Sequence, residues 1–254
     1  MKKYTKIVNN NEIVFKNLLD DSKLKIIHYD DEFIFDTIFI SEKYDLNFIE
    51  YIIEQLKISK DIGVIFVEYD SPLIETILSK NSMKILNYQY TIKKSNDFKV
   101  NTYEVSNGLN QEEKNFYLKF INKLAQDNLI YLNSNKHFQK YDEKWFDNEE
   151  IEYRVYRKKG KIIGIVDYKN FDKDSSYGQV LNNHFNYNNK LCIRCLLSED
   201  EQIMEDILKD LLNFYKKDII INITYNEKKL KNVVKNLNSE FNFCQYILIE
   251  NDNN

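Results

Sequence analysis

The chain has 254 residues, 43% hydrophobic and 30% charged, enough for one large or two small cores in an ordinary globule. Its formal charge of −4 comes from interspersed signs, so no basic stripe marks a nucleic-acid surface, and no apolar run approaches the ~20 residues that span a bilayer. Three cysteines cannot build a disulfide framework and residues 1–6 lack the apolar core of a secretory leader, so the expectation is a cytoplasmic protein with no nucleic-acid or membrane partner.

Three runs rich in β-branched and aromatic residues, 12–15, 24–29 and 32–40, predict strands separated by Asp-rich breaks. Asp45 caps a helix whose inner face is Leu46, Phe48, Ile49, Ile52, Ile53 and Leu56, and the continuously apolar run 63–69 predicts a central strand. Ser71 and Pro72 open a second helix, and residues 84–92 return as a strand. The polar stretch 93–97 is the expected boundary between a domain of residues 1–95 and one of residues 96–254.

Beyond it come a strand over 99–105 and a helix over 111–127 with Phe116, Tyr117, Phe120, Ile121 and Leu124 on one face. Residues 132–150, with Phe138, Tyr141, Trp145 and Phe146, predict a broken helical region. Two alternating runs on either side of Lys159 and Gly160 predict a β-hairpin over 152–168. A strand at 190–197, a helix at 200–217, a strand at 218–225, a helix at 227–237 and a strand at 243–250 complete the chain. The strand–helix–strand step over 190–225 requires a parallel crossover, so one domain mixes both pairing senses. The fold class is therefore α/β with a mixed sheet.

Cys192 and Cys195 form a CxxC inside a strand, where residues three apart point to opposite faces, and neither a second such pair nor a His pair completes a metal site. Both are read as small core side chains, and His28, His137 and His184 carry no metal-ligand spacing.

The order hairpin, strand, long helix, strand, short helix, strand, with Gly160 and Gly164 in the hairpin, resembles the GNAT superfamily of acyl-CoA-dependent N-acyltransferases. Residues 99–250 look like a complete copy and residues 12–92 like a truncated one, so the whole is similar to two GNAT-like units in tandem. The resemblance implies an N-acetyltransferase that takes acetyl-CoA and a small-molecule or peptide amine acceptor, and it is compatible with a homodimer. It also implies that the strand at 191–197 splays from the strand at 219–225, so that the backbone of Cys195, Leu196 and Leu197 meets the donor's pantetheine amides. Ser198 and Gln202 then stand at the start of the long helix, where the family's Gly-rich turn receives the pyrophosphate.

The chain departs from the family there. Residues 198–208 hold no glycine and five carboxylates, and the corresponding residues 41–49 also lack glycine. The family's acid tyrosine would fall near Val233 or Val234, which leaves Tyr225 as the nearest hydroxyl for a general acid. Glu152 and Asp167 are the candidate bases, and Tyr153, Tyr156 and Tyr168 the candidate walls of an acceptor cleft. The alternative expectation is a non-catalytic module of the same fold that binds a ligand or a protein. A transferase with an aminoacyl-tRNA donor fits the surface charge least.

Overall fold

The structure is a computed structural model that describes residues 3–9, 12–20, 22–30, 34–40, 44–58, 62–69, 71–95, 98–132, 140–170, 181–182 and 185–248. The chain forms two compact units, residues 1–88 with 241–254, and residues 89–240.

In the first unit β1 (Tyr4–Asn9), β2 (Glu12–Asn17), β3 (Lys23–Asp30) and β4 (Ile34–Ile40) form an antiparallel meander. Helix α1 (Leu46–Ile58) then carries the chain back, so β5 (Ile62–Val67) lies parallel to β4 in six consecutive pairs from Phe35 to Ile40. The apolar face of α1 buries Phe48, Ile49, Ile52, Ile53 and Leu56 as its periodicity predicts, while Leu46 in the first turn is only partly buried. Helix α2 (Pro72–Lys80) starts as expected: the Ser71 side chain accepts from the Ile74 amide at 3.4 Å, and Pro72 sits in the first turn.

Strand β6 (Met83–Ile92) takes the chain from the first unit into the second, and β12 (Ser239–Leu248) brings it back. Cys244 to Ile247 pair antiparallel with β5, and Phe243 meets Phe66 edge-on at 4.7 Å between centroids. The last strand, expected to close the second unit, thus lies in the first. Its consecutive buried residues Phe243, Cys244, Gln245 and Tyr246 mark a buried strand, but no local pattern names the partner. Strand β1 is an element that the sequence reading does not anticipate.

The second unit contains β7 (Glu104–Asn107), α3 (Gln111–Leu132), a 3-10 turn (Glu143–Phe146), β8 (Glu152–Lys158), β9 (Lys161–Asn170), β10 (Leu191–Leu197), α4 (Glu201–Tyr215), β11 (Ile219–Thr224) and α5 (Lys228–Asn236). Its strands lie in the order β11-β10-β9-β8-β7, antiparallel except for β10 and β11. The strand expected at 99–105 shrinks to β7, and among the described residues of the 132–150 region the 3-10 turn is the helical part beyond the end of α3. His137 and His184 lie outside the described residues. The hairpin turns on Lys159 (φ 51°) and Gly160 (φ 72°), the pair of left-handed residues that a two-residue type I′ turn demands.

Two local features distinguish this unit. Helix α4 packs so closely on β9 that a Cβ added to Gly164 would stand 2.4 Å from Ile207 Cδ1 and 3.3 Å from the Leu197 carbonyl oxygen. And the parallel pair β10 and β11 is matched only at Leu191, Cys192 and Ile193 with Ile219, Ile220 and Ile221. From Arg194 onward the two strands part. The parallel pair of the first unit, by contrast, stays matched over six residues.

Candidate active site

A bulge accompanies the parting. The ladder between β10 and β9 runs Cys192 to Lys169 and Ile193 to Tyr168, then skips Arg194 and resumes with Cys195 opposite Asp167. The extra residue reverses the alternation, so Cys192 and Cys195 share one face of the sheet rather than pointing to opposite faces as their spacing predicts. It also turns Arg194 to that face, where its guanidinium lies 4.5 Å over the Trp145 ring. Past the bulge, among the described residues, Arg194 to Leu197 have no strand partner on the β11 side. Cys195, Leu196 and Leu197, the residues implied for donor contact, lie on this stretch.

The same face carries Tyr153, Val155, Ile165, Cys195 and Leu197, covered by Tyr117 and Ile121 of α3. An Asn110–Glu113 capping pair fixes the start of α3, with the Glu113 amide donating to Asn110 Oδ1 at 3.0 Å and the Asn110 amide donating to Glu113 Oε2 at 2.8 Å. Arg157 of β8 pairs with Glu113, and one turn later Tyr117 meets Tyr153 edge-on at 5.8 Å. Asn122 then clamps the following segment: its amide nitrogen donates to the Tyr141 carbonyl at 3.0 Å and its oxygen accepts from the Tyr141 amide at 2.8 Å. That clamp, with Asp142 capping the 3-10 turn, sets Phe146 beside Tyr117 and Tyr153 and packs Trp145 against the same cluster. Phe116, expected on the inner face of α3, is instead largely exposed because the 113, 117, 121 row takes the sheet.

At the centre lies Asp167, wholly buried. Burial pushes its carboxyl up to about 6 against the pull of Arg194 and weaker pulls from the Tyr117 hydroxyl and the Cys195 amide. Among the described residues neither of its oxygens has a hydrogen-bond partner of ordinary length, and Arg194 Nη1 stands 3.9 Å from Oδ2. Among the described residues the buried Tyr117 and Tyr153 hydroxyls, Trp145 Nε1 and Arg194 Nη1 likewise have no hydrogen-bond partner of ordinary length. Burial raises Tyr153 to about 12 and Tyr117 well above its ordinary value, and it lifts Cys192 to about 11 and Cys195 well up, so all four stay protonated near neutrality. The thiols are therefore inert, and Asp167 is the group here that changes charge near physiological pH.

The other sequence candidates lie elsewhere. Glu152 pairs with Tyr168 across the hairpin and so projects from the face opposite Asp167, where the Tyr215 hydroxyl lies 2.9 Å from its carboxylate and 2.8 Å from the Tyr168 hydroxyl. Tyr156 shares that face and donates to Asp210 at 2.7 Å, beside Arg154 at 3.2 Å. The three tyrosines expected to line one cleft are thus divided, Tyr153 on one side, Tyr156 and Tyr168 on the other. Tyr225 follows β11 and stacks on Tyr131 of α3 at 4.3 Å and 10°, without a hydrogen bond to either carboxylate among the described residues. Val233 and Val234, at the position implied for an acid tyrosine, are buried apolar residues of α5.

The start of α4 is closed by the chain itself. Asp200 accepts from the amides of Gln202 at 2.8 Å and Ile203 at 3.2 Å, taking two of the free donors that a helix N-terminus offers an anion. Ser198 Oγ donates to the Ile163 carbonyl at 3.0 Å, and Gln202 Nε2 donates to Asp206 at 3.3 Å. The unpartnered edge of β10 suits an amide-bearing arm. The occupied amides, flanked by Glu199 and Glu201, do not suit a diphosphate.

Arg194, Trp145 and Tyr117 were not among the sequence candidates for a site. A charge in the middle of the apolar strand at 191–197 was the available signal, but its side depends on a bulge that no local pattern announces.

No family model matches the chain, and no curated protein matches it in sequence. Solved structures similar to it include a functionally unknown conserved protein from Staphylococcus epidermidis, with 14% identity and a TM-score of 0.45 over 96% of this chain and 92% of that one. A GCN5-related N-acetyltransferase from Kribbella flavida is similar over 96% and 88%, with 8% identity and a TM-score of 0.44. An acetyltransferase of the GNAT family from Colwellia psychrerythraea is similar over 94% and 86%, with 12% identity and a TM-score of 0.43. Likenesses this distant carry no chemical argument.

Proposed function

We propose that residues 89–240 form an N-acyltransferase centre, in which the free edge of β10 holds an acyl donor and Asp167 is the general base toward an amine acceptor. The observation that carries this reading is the coincidence of two features: a parallel strand pair that parts after three residues, and a buried, unpartnered carboxylate directly across the bulge. A parted pair leaves main-chain donors and acceptors for an extended, amide-bearing arm, as an added strand would use them. A carboxyl held at about 6 is ionised for most of the time at neutral pH yet basic enough to take a proton from an amine as it attacks.

Acetyl-CoA is the donor that the resemblance implies. Its pantetheine arm fits the free edge, whereas its pyrophosphate meets the Asp200 cap. A second reading, a non-catalytic ligand- or protein-binding module, is favoured by that cap and by Val233 and Val234 at the position implied for an acid tyrosine. Thermal shift with acetyl-CoA, CoA and S-acetylpantetheine separates the two. The transferase reading expects stabilisation by S-acetylpantetheine, about 2.7 kcal/mol at 100 times its dissociation constant, and weaker binding of the nucleotide-bearing donors. Stabilisation by none of the three would leave the binding-module reading.

A further inference from the structure

We infer that the cluster around Asp167 is a binding site for a small zwitterion, a free α-amino acid, with its ammonium on Asp167 and its carboxylate on Arg194, Trp145 and Tyr153. The inference deepens the acyltransferase reading, on which it rests for the acceptor's role, by giving the acceptor's chemical class.

Five side chains converge here with polar atoms that, among the described residues, lack a hydrogen bond of ordinary length: both oxygens of Asp167, which the Tyr117 hydroxyl and the Cys195 amide approach closely enough to pull on, the hydroxyls of Tyr117 and Tyr153, the indole N–H of Trp145 and Nη1 of Arg194. Buried polar groups are nearly always satisfied, so such a concentration calls for a polar guest. The arrangement of signs says which guest. The acceptor-only carboxylate of Asp167 is wholly buried, while a quarter of the Arg194 side chain is exposed where its guanidinium lies over the Trp145 ring. At 3.9 Å the two ions are too far apart for the 2.7–2.9 Å bond that an arginine and a carboxylate ordinarily make, so each keeps a free bonding direction. A molecule whose own opposite charges sit one carbon apart presents the reverse dipole to that pair. It can satisfy both ions at once, with the indole and tyrosine donors completing the carboxylate's shell. A simple amine would leave Arg194 and Trp145 unsatisfied, and a simple carboxylate would leave Asp167 so.

Isothermal titration of the full chain with glycine, L-alanine, ethylamine and propionate, without any acyl donor, tests this directly. Glycine or alanine is expected to bind at least tenfold more tightly than ethylamine or propionate. Trp145→Phe, which keeps the ring beneath Arg194 but loses the N–H, is expected to weaken alanine binding about three- to tenfold, and Arg194→Met by tenfold or more. Equal affinity for alanine and ethylamine, or no zwitterion binding by a protein that still binds S-acetylpantetheine, would overturn the inference. Zwitterion binding by a protein that binds no thioester would instead count against the transferase reading and leave this site standing.

Discussion

Asp167 is asked to be both buried and charged, and the conflict is measurable. Its unfolded value is near 3.8 and its folded value about 6, so the fold prefers the protonated form. The stability that this preference contributes is fully present below about pH 4 and is lost as pH rises through about 6. At about 1.4 kcal/mol per pH unit the loss amounts to about 3 kcal/mol. Among the groups facing it, Tyr117, Tyr153, Cys192 and Cys195 keep their protons across that window, and the nearby Glu227 carboxyl, which burial also raises, adds a loss of the same sign. Asp167→Asn is therefore expected to reduce the slope of the profile between pH 4 and 6 and to raise the denaturation midpoint at pH 7.5. Activity has the opposite sign: a base must be ionised, so the rate should climb through about pH 6. At this scale Asp167 was legible as an acid within the apolar run 162–168. Its partners were not, because Tyr117 and Trp145 arrive from distant segments and Arg194 by way of a bulge.

At the scale of elements, α4 answers two demands, one along its body and one at its start. Its body needs Gly164: a methyl group there meets Ile207 Cδ1 and the Leu197 carbonyl, so Gly164→Ala should cost about 1–2 kcal/mol, read from chemical denaturation, through overpacking. Its start needs Asp200, whose carboxylate takes two helix amides. Replacing it by glycine should cost only a few tenths of a kcal/mol, because glycine is itself a tolerated cap, while it frees both amides for an anion. Asp200→Gly is thus expected to enlarge the thermal shift with acetyl-CoA but not with S-acetylpantetheine. Equal gains with both donors would show that the cap does not act on the phosphates. The helix and its acidic start were readable from periodicity and composition. That Asp200 fills the site, rather than pointing away, is a matter of one side-chain torsion.

At the scale of the whole chain, local patterns established the mixed α/β character and most elements, while long-range pairing was hidden. Residues 243–248 announce a buried strand as clearly as 219–224 do, yet one joins β5 and the other β10, at sequence distances no periodicity encodes. The same limit explains why the matched β4–β5 pair and the parted β10–β11 pair look alike in sequence. Removing residues 241–254 should accordingly expose β5, and amide exchange should accelerate in 62–67 while the β8–β9 hairpin keeps its protection. The most direct test of the transferase centre is thiol release from S-acetylpantetheine and acetyl-CoA, with alanine as acceptor, in wild type and Asp167→Asn. A base at Asp167 predicts amine-dependent release that falls about 10²–10⁴-fold in the variant while donor binding is retained. Release at the same rate in both proteins, or no release from wild type that binds donor and acceptor together, would contradict it.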